Sequence, residues 1–170
     1  MPQDWASTQT DLGIALRDQA VRSEGAEAVR LLNESMRAHR EALKVYTREQ
    51  WPQGWAATQN NLGITLLDLA ERSEGAAAVR LLNESVSAYG EALKVRTREQ
   101  LPQDWAGTQN NLGAALSDQA GRSEGAEAVR LLNEAVSAYR EALKVYTKEH
   151  SPHYHGVVAE NLQRAEARAP

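Results

Sequence analysis

A fixed repeat of 50 residues is the feature that most constrains the fold of this chain. Residues 1–50, 51–100 and 101–150 follow one another without an insertion and match pairwise at 35 to 37 of their 50 positions. A fourth copy begins at Ser151 and runs to Pro170. Such a repeat predicts a stack of like units, each burying its apolar face on its neighbours. We therefore expect one continuous array over residues 1–170, with a capping helix in 151–170.

Each repeat divides into two predicted helices, here called helix A and helix B. In the third copy, Pro102 suits the first turn of helix A, which then continues without a proline to about Gly121. Ser123 is the predicted N-cap of helix B, which we expect to run from about Glu124 to Glu149. With a fourth helix A after Ser151, the sequence predicts an all-α protein of seven helices and about 3.5 repeats.

The apolar residues of the third copy fall at helical spacing and predict how the helices pack. Helix A carries one stripe, made of Trp105, Leu112 and Leu116. Helix B carries two stripes, and a helix with two apolar stripes must pack on two sides. We expect it to contact its own helix A and the helix A of the next repeat. The stripes are Val129, Leu132, Val136, Tyr139, Leu143 and Tyr146, and Leu131, Ala135, Ala138, Ala142 and Val145.

Composition argues against several classes of function. A net charge of −4 argues against a nucleic-acid-binding surface. The apolar residues form no run long enough to cross a membrane, and the first residues do not show the pattern expected of a signal peptide. We predict a cytoplasmic location. The array starts in register at residue 1 and stops within a unit, which favours an excised or engineered fragment.

The repeat resembles the tetratricopeptide repeat, a helical hairpin with a typical period of 34 residues. The period of 50 and the NNLG stretch are also similar to kinesin-light-chain-type repeats and to bacterial repeats found beside caspase-like protease domains. The resemblance rests on equivalent positions in the three copies. These are Leu112, Gly113, Leu116, Ala135, Tyr139, Ala142 and Pro152 in the third, Leu62, Gly63, Leu66, Ser85, Tyr89 and Ala92 in the second, and Leu12, Gly13, Leu16, Ser35, His39 and Ala42 in the first.

The resemblance implies a right-handed superhelical solenoid whose concave face, lined by the A helices, binds a peptide segment of a partner protein. A helical wheel places the same face opposite the Trp105/Leu112/Leu116 stripe. Asn61 and Asn111 occupy the position at which members of the family hold a ligand backbone, and a carboxamide offers the donor and acceptor for this. The predicted peptide-binding residues are Thr10, Asp11, Ile14, Arg17, Asn60, Asn61, Ile64, Leu67, Asn110, Asn111, Ala114 and Asn161.

Other readings carry less weight. The family's clamp for a terminal carboxylate needs several cations, and this face supplies only Arg17, Arg164 and Arg168. Zinc binding by His150, His153 and His155 is disfavoured because no second ligand cluster accompanies them. We predict no metal, no cofactor and no enzymatic activity, because no nucleophile with a base and no phosphate loop appears. The main alternative is a structural or assembly array, in which the uncovered side of the first helix mediates end-to-end self-association.

Overall fold

The computed structural model describes residues 1–169, and within them the fold is entirely helical, with seven helices and no strand. This confirms the predicted number and order of the helices. The A helices are α1, α3, α5 and α7, and the B helices are α2, α4 and α6. Their bounds are α1 Pro2–Val21, α2 Gly25–Ala42, α3 Pro52–Glu71, α4 Gly75–Leu93, α5 Pro102–Ala120, α6 Gly125–Leu143 and α7 Pro152–Glu166.

The chain divides into two compact units, Met1–Val95 and Arg96–Pro170, of which Pro170 lies outside the described residues. In the first unit α1 packs on α2, α2 on α3 and α3 on α4, and α1 also touches α3. In the second unit α6 packs on α5 and on α7. Helices α2 and α6 therefore contact their own helix A and the next one, as their two apolar stripes predict.

A glycine allows helix A and helix B of each repeat to approach closely. A Cβ built at Gly13 would lie 2.5 Å from the ring of His39, and one at Gly63 would lie 2.6 Å from the ring of Tyr89. At Gly113 the corresponding distance to Tyr139 is 2.7 Å. These distances are shorter than van der Waals contact, so any larger residue would force the two helices apart.

Ser35 and Ser85, which stand where the third repeat has Ala135, bond across the helix pair. The hydroxyl of Ser35 donates to the carbonyl of Gly13 at 2.7 Å, and that of Ser85 donates to the carbonyl of Gly63 at 2.8 Å. Both serines are fully buried, and each hydroxyl has a partner because the glycine leaves the backbone carbonyl within reach.

Helix B is shorter than expected, because α6 ends at Leu143 and not near Glu149. After it, the hydroxyl of Thr147 accepts a hydrogen bond from the backbone N–H of His150 at 3.2 Å. Thr47 and Thr97 do the same for Gln50 and Gln100. A threonine that bonds the backbone in this way competes with the helix and turns the chain.

The prediction that Ser123 is the N-cap of helix B was wrong. The N-cap is Glu124, and the Ser123 hydroxyl instead donates to the carbonyl of Gln119 at the end of α5, at 2.9 Å. The turn is made by Gly125, whose φ of +56° is a left-handed conformation that glycine adopts at little cost. Gly25 and Gly75 have the same conformation.

Candidate functional site

In the first unit the candidate face is formed by the A helices α1 and α3, which meet through two polar contacts. The hydroxyls of Thr10 and Thr58 lie 3.0 Å apart. Two to three turns further along the helices, Nε of Arg17 donates to Oδ2 of Asp68 at 2.6 Å. These contacts set the register of α1 against α3.

The predicted residues of this face fall into two groups. Thr10 and Asn60 are buried and lie within the packing of the unit, whereas Arg17 is half-buried and engaged by Asp68. The remaining residues reach the surface: Asp11 and Ile14 are exposed, and Asn61, Ile64 and Leu67 are half-buried. The accessible part of the first unit is therefore a short polar row bordered by three aliphatic side chains.

Asn61 stands out in this row because its carboxamide makes no hydrogen bond to any described residue. The side chain is half-buried in a helix surface that also carries Ile64 one turn later. A half-buried amide beside aliphatic side chains is partly shielded from water, so a ligand that pairs with it gains more than at a fully exposed site.

In the second unit the face is formed by the A helices α5 and α7. Nδ2 of Asn161 donates to Oδ1 of Asn110 at 3.1 Å, and Arg164 donates to Oδ1 of Asn161 at 2.6 Å. Asn110, Asn111, Ala114 and Asn161 are all half-buried. Asn110 and Asn161 are thus brought together across the helix pair.

The charges on the two faces are largely used within the chain. Arg17 is engaged by Asp68, Arg164 by Asn161, and Arg168 donates to the backbone carbonyl of Ser117 at 3.2 Å. Asp118 is half-buried in the second unit, and its burial raises the pKa of its carboxyl group against the opposing effect of Arg122 and Arg168. The arginines that a carboxylate clamp would need are all committed to internal partners.

A second feature of the first unit, a cleft at the turn between α2 and α3, escaped the sequence reasoning. It has a volume of about 310 Å³ and is lined by Gln3, Tyr46, Gln50, Trp51, Pro52, Gln53 and Gly54. Trp51 stands in this turn where the third repeat has Leu101, and its side chain is 39% exposed. The sequence signal for this cleft is Gly54, which stands where the first and third repeats have Asp4 and Asp104.

The structure also bears on metal binding and on membrane-spanning helices. Within residues 1–169 no group of three His, Asp or Glu side chains lies close enough together to hold a metal ion. Among the described helices, none combines the length and the apolar character needed to cross a membrane.

Comparison of the chain with protein-family models, with curated proteins and with solved structures finds no match. The candidate face therefore has to be interpreted from its own geometry and chemistry.

Proposed function

We propose that the chain is a protein-interaction module that binds a peptide segment along the exposed face of its A helices. The observation that carries the proposal is Asn61, a half-buried carboxamide without a hydrogen-bond partner among the described residues. A peptide group can supply both the donor and the acceptor with which this carboxamide pairs.

The surroundings of Asn61 define the segment that would bind best. Ile64 and Leu67 on the same helix and Ile14 on α1 give apolar contacts, and Asp11 adds an exposed negative charge. The arginines of the face are held by internal partners, so they offer little attraction to an acidic ligand. We expect an extended, partly apolar segment that is neutral or basic.

The test starts from a peptide library screened against the whole chain, followed by titration calorimetry with the best neutral or basic peptide. Replacing both asparagines (Asn61→Ala and Asn111→Ala) should weaken binding by roughly five- to 150-fold, since each lost bond contributes roughly 0.5–1.5 kcal/mol. The matched control is Asn133→Ala, an exposed asparagine on α6 that should leave the affinity unchanged. Equal affinities for the double variant and the wild type would contradict the proposal.

The resemblance to the tetratricopeptide repeat supports a finer proposal, that the hairpins belong to one right-handed superhelix whose inner side carries this face. Small-angle X-ray scattering tests it, because a superhelical array and two independently tumbling units give different distance distributions. A distribution that requires independently moving units would contradict the single superhelix.

A second candidate function, assembly of the array, is favoured by one comparison between repeats. Leu62 is 8% exposed on α3, a helix that packs on both α2 and α4, whereas the equivalent Leu12 on α1 is 45% exposed. Trp5, two turns before Leu12 on the same side of α1, is 43% exposed. We propose that this apolar side of α1 mediates end-to-end association between copies of the chain.

Light scattering over a dilution series tests the assembly proposal. Concentration-dependent growth that a Leu12→Ser substitution abolishes would support it. A monomer of constant mass at all concentrations would contradict it and leave peptide binding as the function to pursue.

A further inference from the structure

In the turn that joins helix B to the next helix A, a residue after helix B lies against a residue in the first turn of helix A. In the first repeat, Tyr46 lies under the start of α3 at Gly54, where a Cβ would come within 3.1 Å of the tyrosine ring. The equivalent pair in the third repeat is Tyr146 and Tyr154, whose rings stack with centroids 4.9 Å apart and planes 20° from parallel. The same structural position therefore holds an aromatic ring in one unit and a glycine in the other.

The intervening turn shows that the two positions vary together. There the pair is Arg96 and Asp104, of opposite charge and close enough to interact electrostatically. Arg96 is also anchored by a hydrogen bond of 3.0 Å from its guanidinium to the Thr108 hydroxyl. In two of the three turns, the side chain of Arg96 or Tyr146 thus has a partner side chain at the start of the next helix A. Tyr46 faces Gly54 and has no such partner side chain.

The space left at Gly54 is the cleft of about 310 Å³ described above. The buried ring of Tyr46 lies at its base, held by a hydrogen bond from its hydroxyl to the carbonyl of Gln3 at 3.4 Å. Trp51 stands at its edge, where the other turns have Leu101 and Ser151. The other lining side chains are Gln3, Gln50, Pro52 and Gln53, so the wall carries amides but no formal charge.

We propose that this cleft is a binding site for a tyrosine side chain carried by a peptide segment of a partner protein. In the second unit the half-exposed ring of Tyr154 stacks on Tyr146 at the equivalent place, which shows that the turn accepts a phenol ring against a tyrosine at this position. In the first unit the ring has to come from outside the chain, and Trp51 supplies a second aromatic surface for it. The amides of the lining glutamines suit the peptide groups on either side of the tyrosine. The site is separate from the A-helix face.

The test is an NMR titration of the isotopically labelled whole chain with a blocked Gly-Ser-Tyr-Ser-Gly peptide, read at the Trp51 indole and the Gly54 amide. We expect saturating shifts at these two signals, with a dissociation constant on the order of 1 mM for a single anchoring side chain. The same peptide with leucine in place of tyrosine should bind roughly two- to tenfold more weakly, because it lacks the aromatic contact.

Two substitutions provide matched controls. Gly54→Tyr should cover the Tyr46 ring from within, as Tyr154 covers Tyr146 in the second unit, and abolish the shift of the Trp51 indole. Tyr154→Gly should open the equivalent place in the second unit and produce new shifts at the amide of Ser151. Should Gly54→Tyr lose helical ellipticity, Trp51→Ser takes its place and should weaken binding at the Gly54 amide.

Three results would overturn the proposal: no saturating shift at Trp51 and Gly54, equal affinity for the leucine peptide, or undiminished binding by a folded Gly54→Tyr variant. Asn61→Ala should leave these shifts unchanged, which separates this site from the A-helix face.

Discussion

The buried imidazole of His39 should make the stability of the first unit fall at acidic pH. The side chain is fully buried between α1 and α2, and neither ring nitrogen has a hydrogen-bond partner among the described residues. Burial lowers the pKa of His39 from 6.5 to about 4, because the charged imidazolium cannot be solvated there. The second and third repeats have Tyr89 and Tyr139 at this position and carry no such group.

The sign and size of the effect follow from proton linkage. Above pH 6.5 the imidazole is neutral in the folded and the unfolded chain, so it adds no dependence on pH. Below pH 6.5, His39 is protonated in the unfolded chain, whereas in the folded chain it stays neutral until the pH reaches about 4. The free energy of unfolding should therefore fall by roughly 3 kcal/mol between pH 6.5 and pH 4, with no further loss from this residue below that.

The assay is urea unfolding of the wild type and of His39→Tyr, followed by ellipticity at 222 nm at a series of pH values from 7 to 4. The variant's advantage over the wild type should grow by about 3 kcal/mol across the series, since all other titrating groups are common to both. The reciprocal Tyr139→His substitution should introduce a similar acid sensitivity into the second unit. A difference between wild type and His39→Tyr that stays constant with pH would refute the reasoning.

Two further predictions concern packing, and both are read as changes in the midpoint of urea unfolding. Gly63→Ala should destabilise the chain by about 1–3 kcal/mol, because the new Cβ would lie 2.6 Å from the Tyr89 ring, whereas Gly90→Ala meets open space and should stabilise α4 by about 0.5–1 kcal/mol. Equal effects of the two substitutions would contradict the close approach of the helices. Leu62→Ala should cost about 2–5 kcal/mol and the equivalent Leu12→Ala less than about 1 kcal/mol, given their exposures of 8% and 45%. A large loss at Leu12 in dilute monomer would show that another helix covers that side.

The helix order could be predicted from the sequence because the apolar stripes repeat with the same spacing in every copy. The two-sided packing of α2 and α6 followed from the same stripes, since each stripe needs its own partner. The ends of helix B could not be predicted, because the bond between Thr147 and the His150 backbone competes locally with a helical pattern that continues in the sequence. The role of Ser123 was missed for a similar reason: a serine before a helix can bond either forward or back.

The sequence predicts a candidate face on the A helices, but not the contacts that its residues make within the chain. A helical wheel gives the direction of a side chain and not the distance to the neighbouring helix, so it could not show that Thr10 would bond to Thr58. It likewise could not show that Arg17 would form an ion pair with Asp68. The cleft at Gly54 forms because this glycine lies against Tyr46 of the preceding repeat. That contact between repeats cannot be read from the sequence of one repeat.

The central claim, that the exposed face of the A helices binds a peptide, is tested most directly by mapping a bound peptide onto the chain. Heteronuclear NMR of the whole chain, titrated with the best library peptide, follows the side-chain amide signals of Asn61, Asn111 and Asn133 separately. We expect saturating shifts at Asn61 and Asn111 and none at Asn133 on α6. Binding that moves Asn133 and leaves Asn61 and Asn111 unchanged would contradict the account.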